Sequence, residues 1–349
     1  MKYIAIFATI IKNKTIQRKY MKIRFGVVGT NFIADWVLEA ARLDSRFELA
    51  AVYSRTKETA NAFARKHGIP NTFTSLEKMA ESSLIDAVYI ASPNFLHAEQ
   101  SILFMENGKH VLCEKPFASN KEEAKAMIAS AKKNGVVLME AMKPTLTPNF
   151  LIIKNSLKEL GMLRRYFACY CQYSSRYDKL KDGIVLNAFN PKLSNGAVMD
   201  LGVYTIYPMV VLFGRPNKIS ATGMMLSTGA DGQGAVNFEY DGMTATVLYS
   251  KIADSSLPTE IQGENGTLTT DRINTISRVD IKYRGGENIR LADGIDKNEY
   301  FYEVAEFLDL IEQGRTESEI NSLENSLTTM EIVDEIRRQL GVIFPADKK

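Results

Sequence analysis

The chain has 349 residues, of which 45% are hydrophobic and 24% charged, with a net charge of +2. That size exceeds one ordinary core and predicts two domains, while the near-neutral balance, with no basic stripe among aromatics, sets nucleic acid aside as a partner. The three cysteines (Cys113, Cys169, Cys171) form no disulfide framework and fit a reducing cytoplasm, and three scattered histidines predict no metal site.

Residues 1–20 carry a short apolar run followed by a basic stretch, Lys12 to Lys19, without a small-residue cleavage site. The run is too short to cross a bilayer, so the segment reads as an extension outside the fold, and no membrane partner is expected. From residue 21 to about 145, β-branched runs alternate with helical stretches, the pattern of a doubly wound parallel sheet. Strands are predicted at 23–28, 47–53, 71–74, 85–91, 111–113 and 136–140, with helices at 31–42, 57–66, 95–107 and 121–133. Residues 146–349 read differently: strands at 164–173, 219–226, 235–240, 244–249, 259–262 and 278–283 follow one another closely. Asp241-Gly242 is a hairpin signal, and meander order implies an open, mostly antiparallel sheet in an α+β domain. Helices at 299–311 and 322–340 finish the chain and are free to pack back on the first domain.

Gly29, Asn31 and Ala34 lie where the first strand gives way to a helix, in the places of a dinucleotide fingerprint. Asn31 replaces the usual second glycine and is expected to take a left-handed backbone. Amides and dipole at the helix start, around Asn31, Phe32 and Ile33, would then receive the phosphates. At the tip of the second strand stand Ser54, Arg55 and Thr56 with no carboxylate. An arginine there can pair with a 2′-phosphate, which favours NADP over NAD.

The carboxyl ends of the next strands carry Ser92-Pro93-Asn94, with His97 shortly after, and then Glu114-Lys115-Pro116. Much later, Asp200 and Tyr204 are four residues apart and share one face of a helix. These pieces, in this order, resemble the Gfo/Idh/MocA family of oxidoreductases over residues 21 to about 345. With tyrosine at 204, the chain is most similar to the branch of glucose–fructose oxidoreductase and dimeric dihydrodiol dehydrogenase.

The resemblance implies an N-terminal Rossmann domain, hydride exchange between a nicotinamide and a CH–OH or carbonyl group of a sugar, polyol or cyclic diol, and a homodimer or homotetramer built through the open sheet. It makes Lys115 the acid/base residue, with Pro116 on a cis peptide bond, Tyr204 a proton donor or relay, and Asp200 an orienting group. Ser92, Pro93, Asn94, His97 and Glu114 would lie along the cofactor. A lysine in that role needs a lowered pKa, expected from partial burial and from the nicotinamide cation. The substrate pocket departs from the family pattern: Glu140-Ala141-Met142-Lys143 lacks the aromatic residue and arginine, and Ser194-Asn195-Gly196 replaces three glycines. Met142, Arg176 and Asn187 are the candidate substrate contacts. The competing expectation is a catalytically idle dinucleotide sensor of the same fold, which would have no reason to keep Lys115, Asp200 and Tyr204 together.

Overall fold

A computed structural model describes residues 22–348, so the expected extension over 1–20 lies outside the described residues. The first half alternates strand and helix: β1 (Ile23–Val28), α1 (Phe32–Ala41), β2 (Phe47–Tyr53), α2 (Lys57–His67), β3 (Asn71–Phe73), α3 (Leu76–Glu81), β4 (Ala87–Ile90), α4 (His97–Glu106), β5 (His110–Glu114), α5 (Lys121–Asn134) and β6 (Leu138–Ala141). The six strands are all parallel, in the order β3-β2-β1-β4-β5-β6. Every residue of β4 and β6 is buried, as strands covered by helices on both faces must be. The order reverses between β1 and β4, and ligands of such sheets bind at the carboxyl ends beside that reversal. Local signals place the helices: Thr56 and Asn120 cap the starts of α2 and α5, and left-handed Gly68 and Gly135 end them.

After α6 (Pro148–Ser156) comes β7 (Leu163–Cys171), then α7 (Tyr177–Lys181), a π-turn at Val198–Gly202 and α8 (Val203–Phe213). The remaining strands are β8 (Lys218–Met225), β9 (Asp231–Tyr240), β10 (Met243–Ser250), β11 (Thr259–Gly263), β12 (Gly266–Thr270), β13 (Arg278–Tyr283) and β14 (Asn288–Asp293). They form one eight-stranded sheet in the order β14-β13-β12-β11-β7-β10-β9-β8. A single meander does not describe it. Strand β7 pairs parallel with β10 and antiparallel with β11, so two meanders, β8–β10 and β11–β14, flank a central strand. The long segment through α8 carries the chain from β7 to the far edge and makes the parallel pairing possible. The Asp241-Gly242 turn joins β9 to β10 as expected, with Gly242 at φ 76°.

The chain ends in α9 (Glu299–Gln313) and α10 (Leu323–Leu340). Helix α9 returns to the first sheet, where Phe307 meets Phe25 with ring centroids 5.8 Å apart. Helix α8 covers one face of the second sheet, and the Tyr166 hydroxyl of β7 donates to the Thr205 carbonyl at 3.0 Å. No helix among the described residues is long and apolar enough to cross a membrane.

Candidate active site

The turn from β1 into α1 is built around the Ala91 carbonyl at the end of β4. Gly29 has φ +114°, and a Cβ there would lie 2.5 Å from the Ala91 oxygen, so only glycine fits. Asn31 corrects the expectation of a left-handed residue. Its backbone is extended (φ −91°, ψ 174°), and it is the N-cap of α1, its Oδ1 accepting from the amides of Ile33 and Ala34 at 2.9 and 3.0 Å. Its Nδ2 donates to the Ala91 carbonyl at 2.8 Å. Asparagine therefore replaces the second glycine by bonding rather than by backbone freedom, and it engages the Ile33 amide that was expected to meet phosphate. The amides of Thr30, Asn31 and Phe32 have no protein partner among the described residues.

From this turn a cavity of about 1050 Å³ runs in both directions. At one end Ser54 is tied to Thr59 (Oγ to Oγ1, 2.8 Å), and Arg55 is exposed with no ion-pair partner among the described residues. Glu77 of α3 lines the same mouth, its carboxylate accepting from the Ser75 hydroxyl. Along the middle, Ser92 Oγ is buried without a partner, Pro93 lines the wall, and Asn94 Nδ2 donates to the Ser194 carbonyl and to Asn195 Oδ1 at 2.9 and 3.1 Å. Asn94 thus clamps the first sheet's loop to the segment that leads into the π-turn. His97 lines the cavity but is 1% exposed, with Nδ1 and Nε2 each 2.9 Å from a backbone carbonyl oxygen, of Pro116 and Ser92. It fixes the two loops to each other, and burial lowers its pKa.

The other end holds the charged groups. The Lys115–Pro116 bond is cis. Lys115 Nζ donates to Asp200 Oδ1 at 2.8 Å and stands 4.9 Å from the centre of the Tyr204 ring. The π-turn and the start of α8 bring Asp200 and Tyr204 to this lysine together. Tyr204 is 8% exposed and edge-stacked on Tyr170 at 5.6 Å; burial holds its phenol un-ionised well above the ordinary range. Lys115 itself contradicts the expected lowering. Burial opposes its charge, but Asp200 and Glu114 outweigh that penalty and hold it above its ordinary value. Asp200 is held far below the carboxylate range, because two lysines overcome its burial. Glu114 lines the cavity with its carboxylate accepting from the buried Tyr89 hydroxyl at 2.5 Å, and burial raises its pKa.

Arg176 and Asn187 are exposed on the wall of the cavity that Asp200 also lines. Met142 is not: it is 0% exposed inside the core, and its carbonyl accepts from Thr145 and Asn321. A side chain packed there cannot reach a substrate.

Two residues were missed in the sequence. Lys251, just beyond β10, donates to Asp200 Oδ2 at 2.5 Å. Asp231, opening β9, accepts from the amides of Ala197 and Val198 at 3.0 and 2.7 Å and so anchors the π-turn, with burial pushing its pKa up to about 6. A Cβ on Gly196 would lie 2.1 Å from that carboxylate, which accounts for the glycine kept in Ser194-Asn195-Gly196. Ser194, in place of a glycine, takes the left-handed conformation (φ 56°) and donates its hydroxyl to Ser119 at 2.9 Å.

A glycine turn open to close approach, unpartnered amides at a helix start, a buried unpartnered Ser92 hydroxyl and a lysine at the far end fit a nicotinamide dinucleotide. Together with the doubly wound sheet they define a nicotinamide-dependent oxidoreductase. The chain belongs to the GFO/IDH/MocA family: residues 23–142 match its "oxidoreductase family, NAD-binding Rossmann fold" domain and residues 158–269 match its C-terminal domain. It is 55% identical over 328 residues to scyllo-inositol 2-dehydrogenase (NADP(+)) IolU of Bacillus subtilis, covering 93% of this chain and 99% of that one. It is 45% identical over 325 residues to the uncharacterized oxidoreductase YgjR of Escherichia coli, covering 93% and 98%. Its fold matches that of KijD10, a 3-ketoreductase of Actinomadura kijaniata solved with NADP and TDP-benzene, with a TM-score of 0.80, 24% identity and coverage of 93% and 99%.

Proposed function

We propose that the protein interconverts a secondary hydroxyl of inositol, or of a closely related cyclic polyol, and the corresponding ketone, using NADP. The observation that carries this reading is the cavity itself, with Lys115 on Asp200 at one end and Arg55, free of any carboxylate on its own loop, at the other. The relative named as an NADP-dependent scyllo-inositol dehydrogenase supports both the substrate class and the cofactor. When bound, the nicotinamide exchanges a hydride with the carbinol carbon.

The chain's own residues do the rest. Lys115 Nζ, fixed by Asp200, exchanges the proton of the substrate hydroxyl. Tyr204, kept un-ionised by burial, donates a hydrogen bond to the same oxygen. Arg176 and Asn187 reach the outer hydroxyls of the ring, and Arg55 with Ser54 takes the 2′-phosphate. Because Lys115 holds its proton above the ordinary range, the free site is preset to protonate a ketone, and oxidation quickens as pH rises. We also assign the protein to the cytoplasm, as a homodimer or homotetramer that covers the open face of the second sheet.

The test is oxidation of scyllo-inositol and of a panel of sugars by the purified protein with NADP and with NAD, followed by cofactor absorbance. NADP-linked turnover of scyllo-inositol, lost in Lys115→Ala, is the expected result. Failure to turn over any polyol or sugar with either cofactor, or full activity in Lys115→Ala, overturns the reading.

A further inference from the structure

Asp200 has two lysine partners, and only one of them lines the cavity. Lys115 takes Oδ1 and Lys251 takes Oδ2. Lys251 is 3% exposed and has no freedom to leave. Its amide donates to the Gly232 carbonyl at 2.9 Å and its carbonyl accepts from Ser174, so two neighbouring segments pin its backbone. Its Nζ also donates to the Ala188 carbonyl at 3.2 Å and lies 5.2 Å from the centre of the Phe189 ring.

We propose that Lys251 is a positioning residue for the reaction: by holding one oxygen of Asp200 and balancing its charge, it leaves Lys115 able to give up its proton.

The charge count explains why. With Lys251 in place, Asp200 is already neutralised, so a protonated Lys115 makes this trio net positive and a neutral Lys115 makes it balanced. Without Lys251, Asp200 would have Lys115 as its sole cation, and the balanced state would be the protonated one. Oxidation needs the neutral amine: the C–H bond breaks with its electron pair passing to the oxidised nicotinamide, and the O–H proton passes to Lys115 Nζ. A like charge nearby disfavours the ammonium, so Lys251 acts against the hold of Asp200.

Other groups facing Lys115 are Glu114 at the end of β5, Glu140 from β6, Tyr204 from α8, Tyr170 from β7 and the buried His97. Asp231 faces Lys251 from β9. None of them supplies a second cation on Asp200.

The inference rests on Lys115 being the acid/base group, and its test separates the two. The pH dependence of kcat/KM for oxidation is compared among wild type, Lys251→Met and Lys251→Arg. The expected result is an ascending limb displaced upward by about one pH unit in Lys251→Met, and so roughly tenfold slower oxidation at any pH below it, with Lys251→Arg keeping the limb in place. A limb that stays put or moves down in Lys251→Met overturns the proposal. Lys251→Gln replaces the methionine variant if that one does not fold, and the same shift is expected of it.

A second readout needs no turnover. Labelling of Lys115 by trinitrobenzenesulfonate, mapped on its peptide, tracks the neutral amine. It should slow roughly tenfold in Lys251→Met and hold in Lys251→Arg. Equal or faster labelling overturns the proposal even if the polyol reading has failed.

Discussion

At the Arg55 end of the cavity a single cation stands in solvent; at the Asp200 end two largely buried lysines share one carboxylate that opens on the cavity. The same kind of charge behaves differently in the two places. In water, an ion pair is worth about 1 kcal/mol or less and fades with salt, so the exposed Arg55 adds little to the fold and its charge is open to a ligand. Among buried groups, each charge needs a partner, and the arrangement sets which protonation state is tolerated. In the proposed function one end recognises and the other prepares a proton transfer.

Four variants sharpen or break that contrast. The largest effect is expected for Lys115→Ala, with kcat falling about 10³-fold or more while NADPH fluorescence titration is nearly unchanged. Folding should survive, because Asp200 keeps Lys251. Loss of cofactor binding instead would mean that the two ends are not separable.

Glu140→Gln comes next. Glu140 sits behind the reactive end, its Oε1 accepting from the Phe117 amide at 3.0 Å, and burial pushes its pKa up to about 8. Between the ordinary value of 4.5 and about 8 the folded protein holds a proton that the unfolded chain has released. The wild type should therefore lose about 1.4 kcal/mol of stability per pH unit across that window relative to Glu140→Gln. Denaturant midpoints at several pH values measure it, and parallel curves would place this carboxyl among the ordinary ones.

Gly29→Ala forces a Cβ against the Ala91 oxygen in a left-handed backbone, for about 2 kcal/mol of strain. A lower melting temperature and weaker binding of both NADPH and NADH would show it. Arg55→Ala is the mildest. NADPH should bind up to about fivefold more weakly at low salt, the gap should narrow as salt is added, and NADH should be indifferent. An equal loss for NADH would remove Arg55 from 2′-phosphate recognition.

Much of this was legible in the sequence because it is local. β-Branched runs alternating with helical stretches placed the parallel sheet, and the strand-end position of Glu114-Lys115-Pro116 pointed to one edge of it. What stayed hidden depends on contacts across the chain. Lys251 follows an apolar strand with nothing in its spacing to separate it from a surface lysine, and its partner is 51 residues away. Asn31 was read as a backbone substitute for glycine because its bond to Ala91 spans 60 residues. Met142 neighbours a family signature, yet its side chain points into the core. Strand β14 lacks an apolar run because it is an exposed edge, and Thr-rich β12 shows only a short alternation in burial. The rise rather than fall of the Lys115 pKa follows from partners that sequence order does not reveal.

Gly196 shows how an absent side chain can stiffen a chain. Its missing Cβ leaves room for the Asp231 carboxylate, which holds the Ala197 and Val198 amides at 3.0 and 2.7 Å. The stretch just before Asp200 is thereby fastened from below, and those two amides should exchange their hydrogens as slowly as strand amides do. A residue with no side chain is what lets the turn beneath Asp200 be held rigid.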